Sequence, residues 1–227
     1  MRNRRRASSR LRHAVLATAC GTLGGCAFAS DFMLPRTAGA DLAHFAQSAP
    51  KIGSPGPNFS LEDITGKQIS LADLTGDIPL VLAFGSYTCP VSRWRHPLLE
   101  DLAEEFGNQV RFAMIYTIES HPVGSPCPYT GEPWDTLLNV FTGVRVGQAT
   151  TAEQRMQTAQ LAAADMEISF PVLVDTMDNQ VWRAYGSAPT MAFVFDQHAN
   201  VTMRQVWFEP RAVRTELERL IEVPSTR

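Results

Sequence analysis

A mixed α/β fold, a central sheet flanked by helices, is encoded by three patterns in this chain. Residues 80–84 (LVLAF) and 110–118 (VRFAMIYTI) are apolar runs with no polar alternation, as expected of strands buried on both faces of a sheet. Between them, from Pro90 to Gly107, the apolar residues fall at helical spacing. Past residue 170 two further strands alternate with a short helix, and a late hairpin around His198-Ala199-Asn200 closes the sheet.

The opening of the chain sets the boundaries. Six arginines, at positions 2, 4, 5, 6, 10 and 12, precede the first acid, Asp31. Of 20 basic residues, 14 then face all 23 acids, so residues 31–227 carry −9 although the whole chain carries −3. A body so acidic is a poor nucleic-acid binder, and no nucleic-acid partner is expected. The basic region, a modest apolar segment from residue 14 to residue 25, and the ending Leu23-Gly24-Gly25-Cys26 read as a signal peptide with a lipoprotein cleavage box. In that reading residues 1–26 are a leader and Cys26 becomes a lipidated N-terminus that tethers the chain to a membrane, in the periplasm or cell envelope. An Arg-rich, acid-free leader also fits an organellar transit peptide or a tail, and a cytoplasmic location is the alternative. No stretch approaches the ~20 apolar residues of a membrane-spanning helix.

Residues 27–58, rich in Ala, Ser, Pro and Gly, read as a linker, and the domain is expected over residues 59–223. Residues 59–63 and 68–71 alternate around Thr65-Gly66-Lys67, a hairpin signature. After the 80–84 strand, Pro90 opens a helix with Trp94, Leu98, Leu99, Leu102 and Phe106 on one stripe, Pro97 inside as a kink and Gly107 as its stop. The 110–118 strand runs into Glu119-Ser120-His121-Pro122, followed by a Pro/Gly-rich loop through Cys127 to Pro133 that reads as functional or mobile. Thr150-Thr151-Ala152-Glu153 reads as a capping box for a helix to about Met166. Strands at 170–175, 190–196 and 201–207, a short helix at 179–185 and an amphipathic helix from Pro210 to about Glu222 complete the order.

Cys89 is the residue these elements frame. Pro90 suits the first position of a helix, where its missing N–H would be unpaired anyway, so Cys89 falls at the helix start and at the carboxyl end of a strand. Unpaired amides and the positive end of the helix dipole favour the thiolate there, and the thiolate is the nucleophile. Arg93 and Arg95 add positive charge one turn on. An ordinary buried cysteine is the plain alternative. With Cys20 and Cys26 in the leader, Cys89 and Cys127 remain: too few for a disulfide scaffold, enough for a redox pair. Zinc binding by Cys89, Cys127, His96 and His121 matches no compact ligand spacing, and neither a metal nor a bound cofactor is expected.

Strand, Cys-Pro at a helix start, Pro-containing helix and later Ala188-Pro189-Thr190 before a strand resemble the thioredoxin fold. The opening hairpin resembles the extended form found in peroxiredoxins. That resemblance implies a cis-proline at Pro189. The second thiol of Cys-x-x-Cys is missing, since Ser92 stands in its place. Three blocks resemble a narrower family, the iodothyronine deiodinases: Phe84-Gly85-Ser86-Tyr87-Thr88-Cys89-Pro90, Tyr116-Thr117-Ile118-Glu119-Ser120-His121-Pro122, and residues 170–179 (FPVLVDTMDN) followed by Ala184-Tyr185-Gly186. Cys89 stands where the vertebrate enzymes carry selenocysteine.

The resemblance implies a thiol-dependent oxidoreductase in which Cys89 attacks a soft electrophile, such as an aryl halide, and is then reduced by an external thiol of thioredoxin or glutathione type. His121 would be the general acid for the leaving group, or the partner that activates Cys89, with Glu119 orienting it. Ser86 and Thr88 could donate to the thiolate or cap backbone groups. Cys127 is a candidate resolving thiol, with an idle loop cysteine as the alternative. A hydroperoxide-consuming peroxidase is the second reading, since Ser86 stands three before Cys89 as in peroxiredoxins, although Leu82 replaces their Pro. A non-catalytic, lipid-tethered binding module is the third. Homodimer formation is left open.

Overall fold

The computed structural model describes residues 44–222, and the leader and Cys26 lie outside them. One sheet of seven strands organises the domain, in the order β2-β1-β5-β4-β3-β6-β7. These are β1 (Ser60–Asp63), β2 (Gln68–Ser70), β3 (Leu80–Gly85), β4 (Arg111–Tyr116), β5 (Val172–Val174), β6 (Ala192–Phe195) and β7 (Val201–Gln205). β3, β4 and β5 run parallel, and the outer pairs are antiparallel, so the sheet is mixed as the pattern predicts.

The helices are α1 (Leu71–Leu74), α2 (Pro90–Phe106), α3 (Leu137–Thr142), α4 (Ala152–Asp165), α5 (Gln180–Ala184) and α6 (Pro210–Glu222). β3 is buried along its whole length because both sides of its pleat are covered. Val81 and Ala83 pack with Leu99, Leu102 and Phe106 of α2 and Val213 and Leu217 of α6. Leu80, Leu82 and Phe84 pack on the opposite face, under α1, α5 and Phe45.

Four expectations are corrected. Residues 44–58 are no linker: Phe45 and Ala49 are buried, and Gly53 N–H donates to the Val201 carbonyl at 2.7 Å, so apolar anchors and a backbone bond fasten this segment to the sheet. Trp94 and Leu98, placed on the inner stripe of α2 by periodicity, are exposed, Trp94 at 66%. The inward positions are Ser92, His96, Leu99, Leu102 and Phe106, with the His96 ring packed on Phe170 at 5.7 Å and its Nε2 3.1 Å from Glu100. The cap of α4 is Thr151, whose hydroxyl accepts from Gln154 N–H, one residue later than expected. Finally, the described residues contain no cis peptide bond, so Pro189 is trans. The reversal before it is made by Gly186 and Ser187, at φ 112° and 57°, and the trans isomer is the ordinary preference.

Candidate active site

Three connections converge at one end of the sheet. β3 and β4 are parallel and in register, Gly85 opposite Tyr116, so the Cys89 and Glu119 segments leave the sheet side by side. β6 is antiparallel to β3, which brings the residues before it, including Thr190, to the same end. Gly85 allows the tight exit from β3. A Cβ there would stand 2.7 Å from Ser92 Oγ and from Met114 Cε, so a side chain would push α2 off the strand.

Cys89 is the N-cap of α2, in extended conformation with no side-chain cap bond, and Pro90 follows at the first helical position. The thiol is therefore not spent on capping. Cys89 is only 2% exposed, and its Sγ lies 3.6 Å from Thr190 Oγ1. Arg93 turns toward α3, donating to Asn139 and Thr142. Arg95 points away, to the Phe208 carbonyl and Glu209.

Beside the thiol lies a closed polar network. Glu119 Oε2 accepts from Thr88 N–H at 2.7 Å and from Thr88 Oγ1 at 2.5 Å, while Oε1 accepts from the Tyr116 hydroxyl. Thr88 Oγ1 in turn accepts from His121 N–H at 3.0 Å, and the Thr88 carbonyl accepts from Asn139 Nδ2 at 2.8 Å. Ser86 Oγ accepts from Ser120 N–H at 3.2 Å and pairs with the Ser120 hydroxyl at 3.3 Å. Burial raises the pKa of Glu119 against the opposing pull of these donors. Burial also holds the Tyr116 hydroxyl well above its ordinary value, with the neighbouring Glu119 charge adding to it.

His121 is positioned by Trp134. Its Nδ1 lies 3.3 Å from the Trp134 carbonyl and the two rings meet edge to face at 4.4 Å. A carbonyl only accepts, so Nδ1 carries the proton and Nε2 is left as an acceptor. Burial lowers the His121 pKa to about 4, so the ring is neutral at neutral pH. Such a group begins as a base and becomes a general acid only after taking up a proton. The expected orientation of His121 by Glu119 is not what the fold uses: the carboxylate is committed to Thr88 and Tyr116.

Cys127 is buried, at 0% exposure, inside an ordered turn in which its N–H donates to the Glu132 carbonyl at 2.9 Å and its carbonyl accepts from Gly131 N–H at 2.9 Å. Both Cys89 and Cys127 are free thiols.

Independent comparison decides what these parts belong to. The family model described as iodothyronine deiodinase matches residues 39–221. The chain belongs to the iodothyronine deiodinase family. Curated deiodinases include a thyroxine 5-deiodinase from Gallus gallus, 30% identical over 138 residues, and a type I iodothyronine deiodinase from Xenopus laevis, 26% identical over 147 residues. These alignments cover 60% and 64% of this chain but only 49% and 53% of the relatives, so the chain spans about half their length. Among solved structures, a Sinorhizobium meliloti protein aligns with TM-score 0.55 and 17% identity, covering 79% of this chain and 90% of that one. The thioredoxin domain of a Bacteroides vulgatus thiol-disulfide oxidoreductase aligns with TM-score 0.53 and 13% identity, covering 74% and 99%. At these identities they establish the thioredoxin-like fold alone.

Of the residues nominated from the sequence of this deiodinase-family chain, Thr88, Glu119 and His121 form one hydrogen-bonded unit next to Cys89 and Ser86 pairs separately with Ser120, but neither nominated hydroxyl meets the sulfur. Thr190 does, and it was visible only as the residue after Pro189. Tyr116 lay inside the second family block. Trp134 and Asn139 carried no local signal, and α3, which holds Asn139, is too short at six residues to show a period.

Proposed function

We propose that this chain is a thiol-dependent reductase in which Cys89 removes halogen from an aromatic substrate. The observation that carries the reading is the uncapped Cys89 at the start of α2, set against the Glu119–Thr88–His121 network of a deiodinase-family domain. In the proposed reaction the Cys89 sulfur takes the halogen as its bond to the ring breaks, and the thiol proton passes to the ring carbon, with neutral His121 as the relay. The products are the dehalogenated ring and a sulfenyl halide on Cys89. A second thiol attacks that sulfur, forms a disulfide and releases halide and a proton. Cys127 is the proposed internal source of that thiol, and an external thiol of thioredoxin or glutathione type then reduces the disulfide.

The decisive experiment measures iodide release from an iodophenol in the presence of dithiothreitol, for the wild type and Cys89→Ser. The expected result is turnover that Cys89→Ser reduces to background while the fold is retained. Hydrogen peroxide consumption without iodide release would replace this reading with a thiol peroxidase. Neither activity from a folded protein would leave a non-catalytic module. Ser86 gives the peroxidase less support than its sequence position suggested, because its hydroxyl is engaged by Ser120.

A further inference from the structure

The inner face of α2, just past Cys89, carries polar groups that the protein leaves without partners. Ser92 and His96 are buried there beside Leu99, Leu102 and Phe106. Each is at most 5% exposed, and neither the Ser92 hydroxyl nor His96 Nε2 hydrogen-bonds to any described residue. His96 Nε2 lies 3.1 Å from Glu100 Oε1, but out of line for a hydrogen bond. An unpaired buried group gives up its water without replacement, a cost that two such groups on one helix face double.

Both side chains line one small cavity beneath α2, together with Thr190 and the apolar Met114, Met166 and Met191. Its volume of about 20 Å³ suits a single water, which needs roughly two to four polar partners in such a place. Ser92, His96 and Thr190 supply them. Thr190 carries the consequence to the sulfur, since its Oγ1 lies 3.6 Å from Cys89 Sγ and a hydroxyl has lone pairs to spare when it donates. A hydroxyl that accepts from a water on one side is a stronger donor on the other. The charged and titratable groups around Cys89 are engaged elsewhere: Arg95 with the Phe208 carbonyl and Glu209, Arg93 with α3, Glu119 with Thr88 and Tyr116, His121 with Trp134.

We propose that this cavity is a binding site for one structural water, held by Ser92, His96 and Thr190, and that Ser92 and His96 are thereby positioning residues for ionised Cys89. The water donates to Thr190 Oγ1, and Thr190 donates to the sulfur when the thiolate forms. This rests on Cys89 being the reacting thiol of the proposed function but not on which electrophile it attacks.

Ser92→Ala tests it, since the change removes one oxygen from the cavity and suits a helix. Alkylation of Cys89 by iodoacetamide is followed by peptide mass across a pH series in the full chain. Ser92→Ala is expected to slow alkylation about threefold at neutral pH, as weakening one hydrogen bond to an ion implies. At high pH, where the thiol is ionised in both proteins, the rates should converge. Equal rates at neutral pH, or a difference that persists unchanged at high pH as altered access would give, overturns the proposal. So does a raised urea midpoint, the result expected if alanine merely relieves an unpaired hydroxyl. If the variant does not fold, a crystal structure of the wild type serves instead. A water within hydrogen-bond distance of both Ser92 Oγ and Thr190 Oγ1 supports the proposal, and a dry cavity refutes it. Absence of iodide release would sink the dehalogenation reading while leaving these readouts intact.

Discussion

Around Thr88 every polar group closes on another: Glu119 takes three donors, Thr88 gives and accepts, and Asn139 ties the Thr88 carbonyl to α3. One residue later the pattern reverses. The Cys89 thiol caps nothing, and its sulfur meets Thr190 Oγ1 at 3.6 Å. Buried networks that are fully satisfied hold their members in one geometry, because any rearrangement strands a donor in low dielectric. Groups left unsatisfied beside a thiol are where a new charge finds partners without breaking existing ones. The contrast assigns rigidity to the Thr88 side and reactivity to the Cys89 side.

Removing the centre of the rigid side should have the largest effect. Glu119→Ala strands Thr88 N–H, Thr88 Oγ1 and the Tyr116 hydroxyl, so a loss of about 4 kcal/mol is expected at a penalty of roughly 1–3 kcal/mol per buried donor. Urea unfolding at neutral pH measures it. A loss below about 1 kcal/mol would mean the network is not what holds the loops together.

A pH series gives the next effect. His121 has its pKa lowered from 6.5 to about 4 in the folded chain, so the unfolded chain binds the proton more readily between those values. The stability linked to neutral His121 is therefore complete above about pH 6.5 and is lost as pH falls toward 4, by about 3 kcal/mol in all. Wild type and His121→Gln, compared by denaturant midpoint across that window, should diverge in slope, with the variant flatter. Parallel slopes would show the ring to be hydrated.

The smallest effect on stability belongs to the reactive side. Thr190→Val keeps the shape and removes the hydroxyl near Sγ, so folding should change by less than about 1 kcal/mol. Cys89 alkylation at neutral pH should nevertheless slow several-fold. A variant that unfolds readily but alkylates normally would reverse the division of labour between the two sides.

Much of the frame was legible in the chain. Pro90 marked a helix start and the unbroken run before it marked a buried strand, which together placed Cys89 at the carboxyl end of β3. Trp94 shows where periodicity fell short. Its apolar character matched the inner stripe, but the His96 ring, packed on Phe170 with its Nε2 3.1 Å from Glu100, occupies the inward position. Pro189 marked a real convergence point without adopting the isomer that the fold resemblance implied.

By itself the sequence determined the element order, the helix-start thiol and the blocks that carry the family resemblance, because strand and helix periods and proline geometry act over a few residues. Only the tertiary structure decided which groups meet. Glu119 serves Thr88 across 31 positions of the chain and Thr190 meets Cys89 across 101, pairings set by the register of β3 against β4 and β6.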